Sequence, residues 1–270
     1  MKKQQSIVCF TVALVAFAFA QLRGADAQCT AATLKGPYSA VSQGIQTGPL
    51  TTVPVAITDS CIFDGIGTVS CTSTQSVDGV VQTITSSGNY SLGPTCDGIL
   101  VLNVTFGGED EPGETRNYKI SAASDGSRAT SLRTDFGQNV SAVYNKTAAG
   151  ICSNATLNGS YQWSSQGMQK VGLGLVTVPQ LQAWTINFDG HGGTTGSGTQ
   201  VQDGVVLTGN YTGTYNVSAN CMGTYTATIN LSNDTSEIRS FSFIVNPDGS
   251  GIIATRKDAG STRAGVATRR

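Results

Sequence analysis

C-S-N-A-T-L-N-G-S-Y-Q-W-S-S-Q-G-M, from Cys152 to Met168, restarts what C-T-A-A-T-L-K-G-P-Y-S-A-V-S-Q-G-I, from Cys29 to Ile45, began. The correspondence continues down the chain. Phe63-Asp64-Gly65-Ile66-Gly67 meets Phe188-Asp189-Gly190-His191-Gly192, and Asp78-Gly79-Val80-Val81 meets Asp203-Gly204-Val205-Val206. Gly88-Asn89-Tyr90 meets Gly209-Asn210-Tyr211 or Gly213-Thr214-Tyr215, and Cys96 meets Cys221. Asp125-Gly126-Ser127 and Arg133 finally meet Asp248-Gly249-Ser250 and Arg256. Each copy holds enough residues to bury a core of its own, so the reading is two similar domains, 28–150 and 151–270, after a leader at 1–27.

Within a copy the apolar residues alternate, as in Ile99-Leu100-Val101-Leu102-Asn103-Val104-Thr105-Phe106 and Thr224-Tyr225-Thr226-Ala227-Thr228-Ile229-Asn230-Leu231. Period two means strands with one wet face, and the D-G and G-x-G steps between them are hairpin turns. The first copy reads as about eight strands, near 37–45, 50–62, 67–77, 80–91, 98–106, 115–123, 128–135 and 139–146. The fold class is therefore all-β: two tandem antiparallel barrels of about eight strands each, with flattened β-sandwiches as the alternative.

Leu34-x-Gly36-x-Tyr38 and Leu157-x-Gly159-x-Tyr161, the latter followed by Trp163, resemble the Leu-x-Gly-x-Trp opening of calycin barrels, the lipocalin and avidin group. That resemblance implies an aromatic plug at the barrel bottom beside an arginine from a late strand, the place Arg133 and Arg256 would take. The whole pattern also resembles repeats of uncharacterised secreted bacterial proteins.

Lys2 and Lys3, the apolar run Ile7 to Ala20 and Ala25-Asp26-Ala27 read as a secretory signal cleaved before Gln28. An apolar run that short does not span a bilayer of roughly 30 Å. The tail from Gly260 to Arg270 is polar and basic, unlike a lipid-anchor signal, and its arginines Arg263, Arg269 and Arg270 read as a frayed end. Without the leader, 13 basic face 16 acidic residues. That balance implies neither nucleic-acid nor anionic-membrane binding, and the expected location is extracellular.

Cys9 leaves with the leader, so six cysteines enter an oxidising compartment and three disulfides are expected. The duplication selects Cys29 with Cys96 and Cys152 with Cys221. Cys61 and Cys71 remain to staple a hairpin of the first copy, where the second has Ile186 and Gly196.

Asn-x-Ser/Thr occurs at Asn89, Asn103, Asn139, Asn145, Asn154, Asn158, Asn210, Asn216, Asn230 and Asn233, ten of fourteen asparagines. With Ser and Thr at about a quarter of positions, chance would give three or four, so a secreted glycoprotein is expected. In a strand, Asn and the Ser or Thr two places on share a face. Asn103-Val104-Thr105 and Asn210-Tyr211-Thr212 therefore put sugar outside and the middle residue inside.

Catalytic groupings are not legible, and no cofactor or metal is called for. His191 is the lone histidine, in a turn, and Asp64 and Asp189 read as hairpin chemistry rather than calcium ligands. Glu109-Asp110-Glu111-Pro112-Gly113-Glu114 reads as a solvated acidic loop. Glu114-Thr115-Arg116 recurs as Glu237-Ile238-Arg239, an acid and a base on one strand face in both copies. If that face points inward it forms a polar site at each barrel mouth, so Glu114, Arg116, Glu237 and Arg239 are the candidate ligand contacts.

Two functions fit. The first is a non-enzymatic extracellular protein, structural or carrying a small apolar or saccharide ligand in each barrel. The second, by fold analogy, is a cofactor-free barrel enzyme of the allene oxide cyclase or dirigent type. Interior volume separates them, since a bound small molecule needs a cavity of roughly 300 Å³ or more.

Overall fold

The computed structural model describes residues 28–47, 51–107, 113–148, 150–171 and 176–270. The segment read as a leader and most of the acidic loop lie outside the described residues. The first copy forms β1 (Lys35–Thr47), β2 (Thr52–Asp64), β3 (Thr68–Val77), β4 (Val80–Leu92), β5 (Asp97–Phe106), β6 (Glu114–Ala122), β7 (Arg128–Arg133) and β8 (Gln138–Lys146). The second forms β9 (Asn158–Val171), β10 (Val176–Asp189), β11 (Gly193–Gln202), β12 (Val205–Val217), β13 (Met222–Leu231), β14 (Ser236–Val245), β15 (Gly251–Arg256) and β16 (Ser261–Arg269).

Within each copy every strand pairs antiparallel with its neighbour in sequence, and β1 with β8 and β9 with β16 close two barrels. Closure removes the free edges that strands this polar would otherwise offer to other chains. The flattened sandwich is not formed. Among the described residues, no helix is long and apolar enough to cross a membrane.

The repeated motifs build one end of each barrel. Tyr38 is buried on β1, and its hydroxyl donates to the Gly126 carbonyl at 2.6 Å; Tyr161 repeats this on Gly249 at 2.6 Å. Phe63 meets Tyr38, Tyr90 and Tyr144 edge to face, and Phe188 meets Tyr161 and Tyr215 in the same way. The aromatic plug is thus present. The late arginines are not beside it: Arg133 and Arg256 end β7 and β15 at the opposite mouth, where Asp135 and Asp258 hold them at 2.7 and 2.6 Å.

The D-G-x-G turns follow from one carboxylate each. Asp64 Oδ1 accepts from the N–H groups of Ile66, Gly67 and Thr68 at 2.8, 2.9 and 2.9 Å. Asp189 Oδ1 does the same for His191, Gly192 and Gly193 at 2.7, 3.0 and 2.9 Å. Gly65 and Gly190 sit at φ +82° and +78°, a region other residues enter only with strain. His191 is exposed at the turn.

Although burial opposes it, the Thr68 hydroxyl and the turn amides hold Asp64 well below the ordinary carboxylate range. The amides and hydroxyls of Ser127 and Ser250 likewise lower Asp125 and Asp248, and the turn amides lower Asp189. Carboxyls with depressed folded pKa values contribute stability that is complete above the unfolded value, about 3.9, and is lost as pH falls through the folded values. The urea midpoint of both barrels is therefore expected to fall below about pH 4, and to fall less steeply in the double variant Asp64→Asn, Asp189→Asn. An acid limb identical in that variant would contradict this origin.

Three disulfides are present: Cys29–Cys96, Cys61–Cys71 and Cys152–Cys221. Cys61 faces Cys71 across β2 and β3, as Ile186 faces Gly196 across β10 and β11.

The barrels pack side against side. The outer faces of β2 and β3 bury Ala56, Thr58, Thr74 and Ser76, and those of β15 and β16 bury Ile253, Thr255, Thr262 and Ala264. Small side chains allow the sheets to approach closely. Thr74 Oγ1 donates to Ser242 Oγ at 3.0 Å, Ser76 Oγ to the Ser261 carbonyl at 3.1 Å, and the Gly79 N–H to Thr262 Oγ1 at 2.7 Å. Lys170 Nζ reaches Asp78 at 2.7 Å.

Candidate functional site

Alternation carries β6 and β14 so that Glu114 and Arg116, and Glu237 and Arg239, point into the barrels, at the mouths opposite the aromatic plugs. Arg116 is buried and binds Glu114 through Nε, while its Nη2 donates to Gln75 at 2.8 Å. Its guanidinium lies 5.9 Å from the centre of the Phe106 ring. Arg133 adds a second contact to Glu114 at 3.6 Å. The second mouth repeats the plan. Arg239 binds Glu237 and Gln200, and Arg256 sits 3.5 Å from Glu237 and donates to Gln169 at 3.1 Å.

The sequence pairs are therefore brought together, each inside its own barrel. Reading the sequence missed the partners that complete them. Arg133-Thr134-Asp135 recurs as Arg256-Lys257-Asp258, a signal of the same kind as the Glu-x-Arg repeat. Gln75 and Gln200 also correspond, and both are buried.

Two interior residues break the symmetry. Register places Asp59 of β2 opposite Ala40 of β1, and Trp184 of β10 opposite Trp163 of β9, so Asp59 stands where the second barrel has Trp184. Asp59 accepts from Ser73 Oγ at 2.5 Å and from Ser42 Oγ at 3.3 Å, and burial raises its carboxyl above the ordinary range. Conversely, Val140 pairs with Gly44 where Arg263 pairs with Gly167. Arg263 is fully buried within β16, so the tail read as frayed is the closing strand of the second barrel. Counting Asp59, the interior of the first barrel sets two guanidiniums against three carboxyls, and that of the second sets three against two.

Burial would raise Glu237, but the Arg239 guanidinium, with Arg256 and Arg263, holds it below the ordinary value. Burial, with Arg256 and Arg239 close by, weakens the hold of Arg263 on its proton. Arginine nonetheless stays protonated in proteins.

Between plug and mouth the interior of the second barrel is packed with aromatic side chains. A void of about 30 Å³ remains among Trp163, Ile186, Phe188, Tyr225, Phe241 and Phe243. Larger spaces lie outside, in the grooves between the barrels. One of about 700 Å³ runs past Ile62, Thr72 and Thr147 to Met222, Ile244 and Pro247. Another of about 520 Å³ lies between Val41, Val143, Leu181 and Val266. Among the described residues, no group of three or more His, Cys, Asp or Glu is arranged to hold a metal ion.

No protein-family model and no curated protein matches this chain. Among solved structures, Aeromonas veronii immune modulator A aligns over 87% of this chain and 94% of its own, at 11% identity and a TM-score of 0.26. A score of that size carries no argument about what this chain does.

Proposed function

We propose that this chain is a secreted, N-glycosylated extracellular protein whose two calycin-like barrels serve as solid scaffolds, non-enzymatic and without a small apolar molecule inside them. The observation that carries this reading is the packed interior of the second barrel, whose void of about 30 Å³ is an order of magnitude below what a carried ligand or enclosed substrate occupies. Three disulfides favour an oxidising compartment. Saccharide or protein partners would meet the outer faces and the inter-barrel grooves.

The sequons support the glycoprotein reading. Nine of the ten asparagines are exposed, and Val104 and Tyr211, the middle residues of two sequons, are buried inside as register requires. Asn154 is the exception: it is half-buried, and its Oδ1 accepts from the Val217 N–H at 2.7 Å. Native mass spectrometry of the protein purified from its source should find a chain beginning at Gln28 with three disulfides. N-glycosidase treatment should lower its mass, Asn154 should be unmodified, and no apolar small molecule should accompany it. An unprocessed chain of unchanged mass, or a stoichiometric apolar adduct, would overturn the proposal.

A further inference from the structure

We propose that the mouth of the second barrel binds one small monovalent anion, a halide or a carboxylate group, between the free N–H groups of Arg239 and Arg263. Both side chains are fully buried. Among the described residues, no partner reaches Nε or Nη1 of either one, leaving four guanidinium nitrogens with N–H groups to donate. The two carboxylates nearby are already engaged. Glu237 binds Arg239 and Arg256, and Asp258 accepts from Arg256 at 2.6 Å and, on its two oxygens, from the Ser240 N–H at 3.0 and 3.1 Å.

A buried guanidinium with unpaired donors is among the costliest arrangements a core can hold, and arginine cannot escape it by losing its proton. Three guanidiniums against two carboxylates leave an excess of one positive charge, which a monovalent anion cancels while accepting the free N–H groups. A doubly charged anion would overshoot. The first barrel has valine, Val140, at the position of Arg263 and carries the extra carboxyl of Asp59, so the site belongs to the second copy alone.

The test uses the full chain with disulfides intact. Trp163 and Trp184 are the only tryptophans, and both lie in the second barrel, so their fluorescence follows its unfolding. Thermal unfolding is recorded in increasing sodium chloride or, separately, sodium formate, with ionic strength held constant by a bulky sulfonate buffer salt. The midpoint should rise saturably, by about 5–10 °C once the anion exceeds its Kd a hundredfold. The stronger arm identifies halide or carboxylate. Arg263→Val should lose the rise. No anion-specific rise in the native protein, or an equal rise in Arg263→Val, would show that water alone meets these donors and would overturn the proposal. If Arg263→Val does not fold, the chlorine-35 NMR linewidth of the folded native protein decides. Broadening that formate removes sustains the site, and the linewidth of buffer alone, together with no saturable rise of the native midpoint in formate, refutes it.

Discussion

Replacing Cys152 and Cys221 together with alanine should destabilise the second barrel by about 4 kcal/mol, the chain-entropy value for a loop of this length. The bond closes a separation of 69 residues, against 10 for Cys61–Cys71, so it constrains far more of the unfolded chain. It also anchors structure at both ends. Cys152 leads into the turn that sets Leu157, fully buried, under the barrel, and the Cys221 carbonyl accepts from the Val245 N–H at 2.9 Å. Tryptophan fluorescence during urea unfolding measures the effect. The Cys29, Cys96 double variant should move that transition much less, through the barrel contact alone. Equal shifts from the two variants would mean that the barrels unfold as one unit.

Trp163→Ala should cost about 3–5 kcal/mol. The indole packs edge to face on Phe241 at 5.8 Å, and a Cβ added at Gly265 would stand 2.5 Å from its ring, so neighbour and side chain are fitted to each other. The first barrel has Ala40 at this position. Trp163 lines the 30 Å³ void. Its removal should enlarge that void toward the roughly 150 Å³ at which a dry apolar cavity takes up benzene.

The barrels, their strand order and all three disulfides were legible because repetition and alternation survive wherever a strand has one wet face. Inward Val104 and Tyr211 between outward sequon residues are examples. Alternation fails where both faces are covered. In β16 the inward residues include Arg263 and Gly265, and the outward Thr262 and Ala264 are small because the first barrel lies on them. The segment S-T-R-A-G-V-A-T-R therefore carries no period, and its arginines read as a frayed tail. β15 is buried on both faces for the same reason. The Glu-x-Arg pairs were visible as a repeat, whereas Asp59 and Arg263, each present in one copy only, had no counterpart to reveal them.

On this account the second barrel is filled. Titration of benzene into the native protein and into Trp163→Ala, followed by calorimetry, tests it most directly. The native protein should show no saturable uptake, and the variant should bind one molecule in the second barrel. Saturable binding of benzene in the second barrel of the native protein would contradict the account.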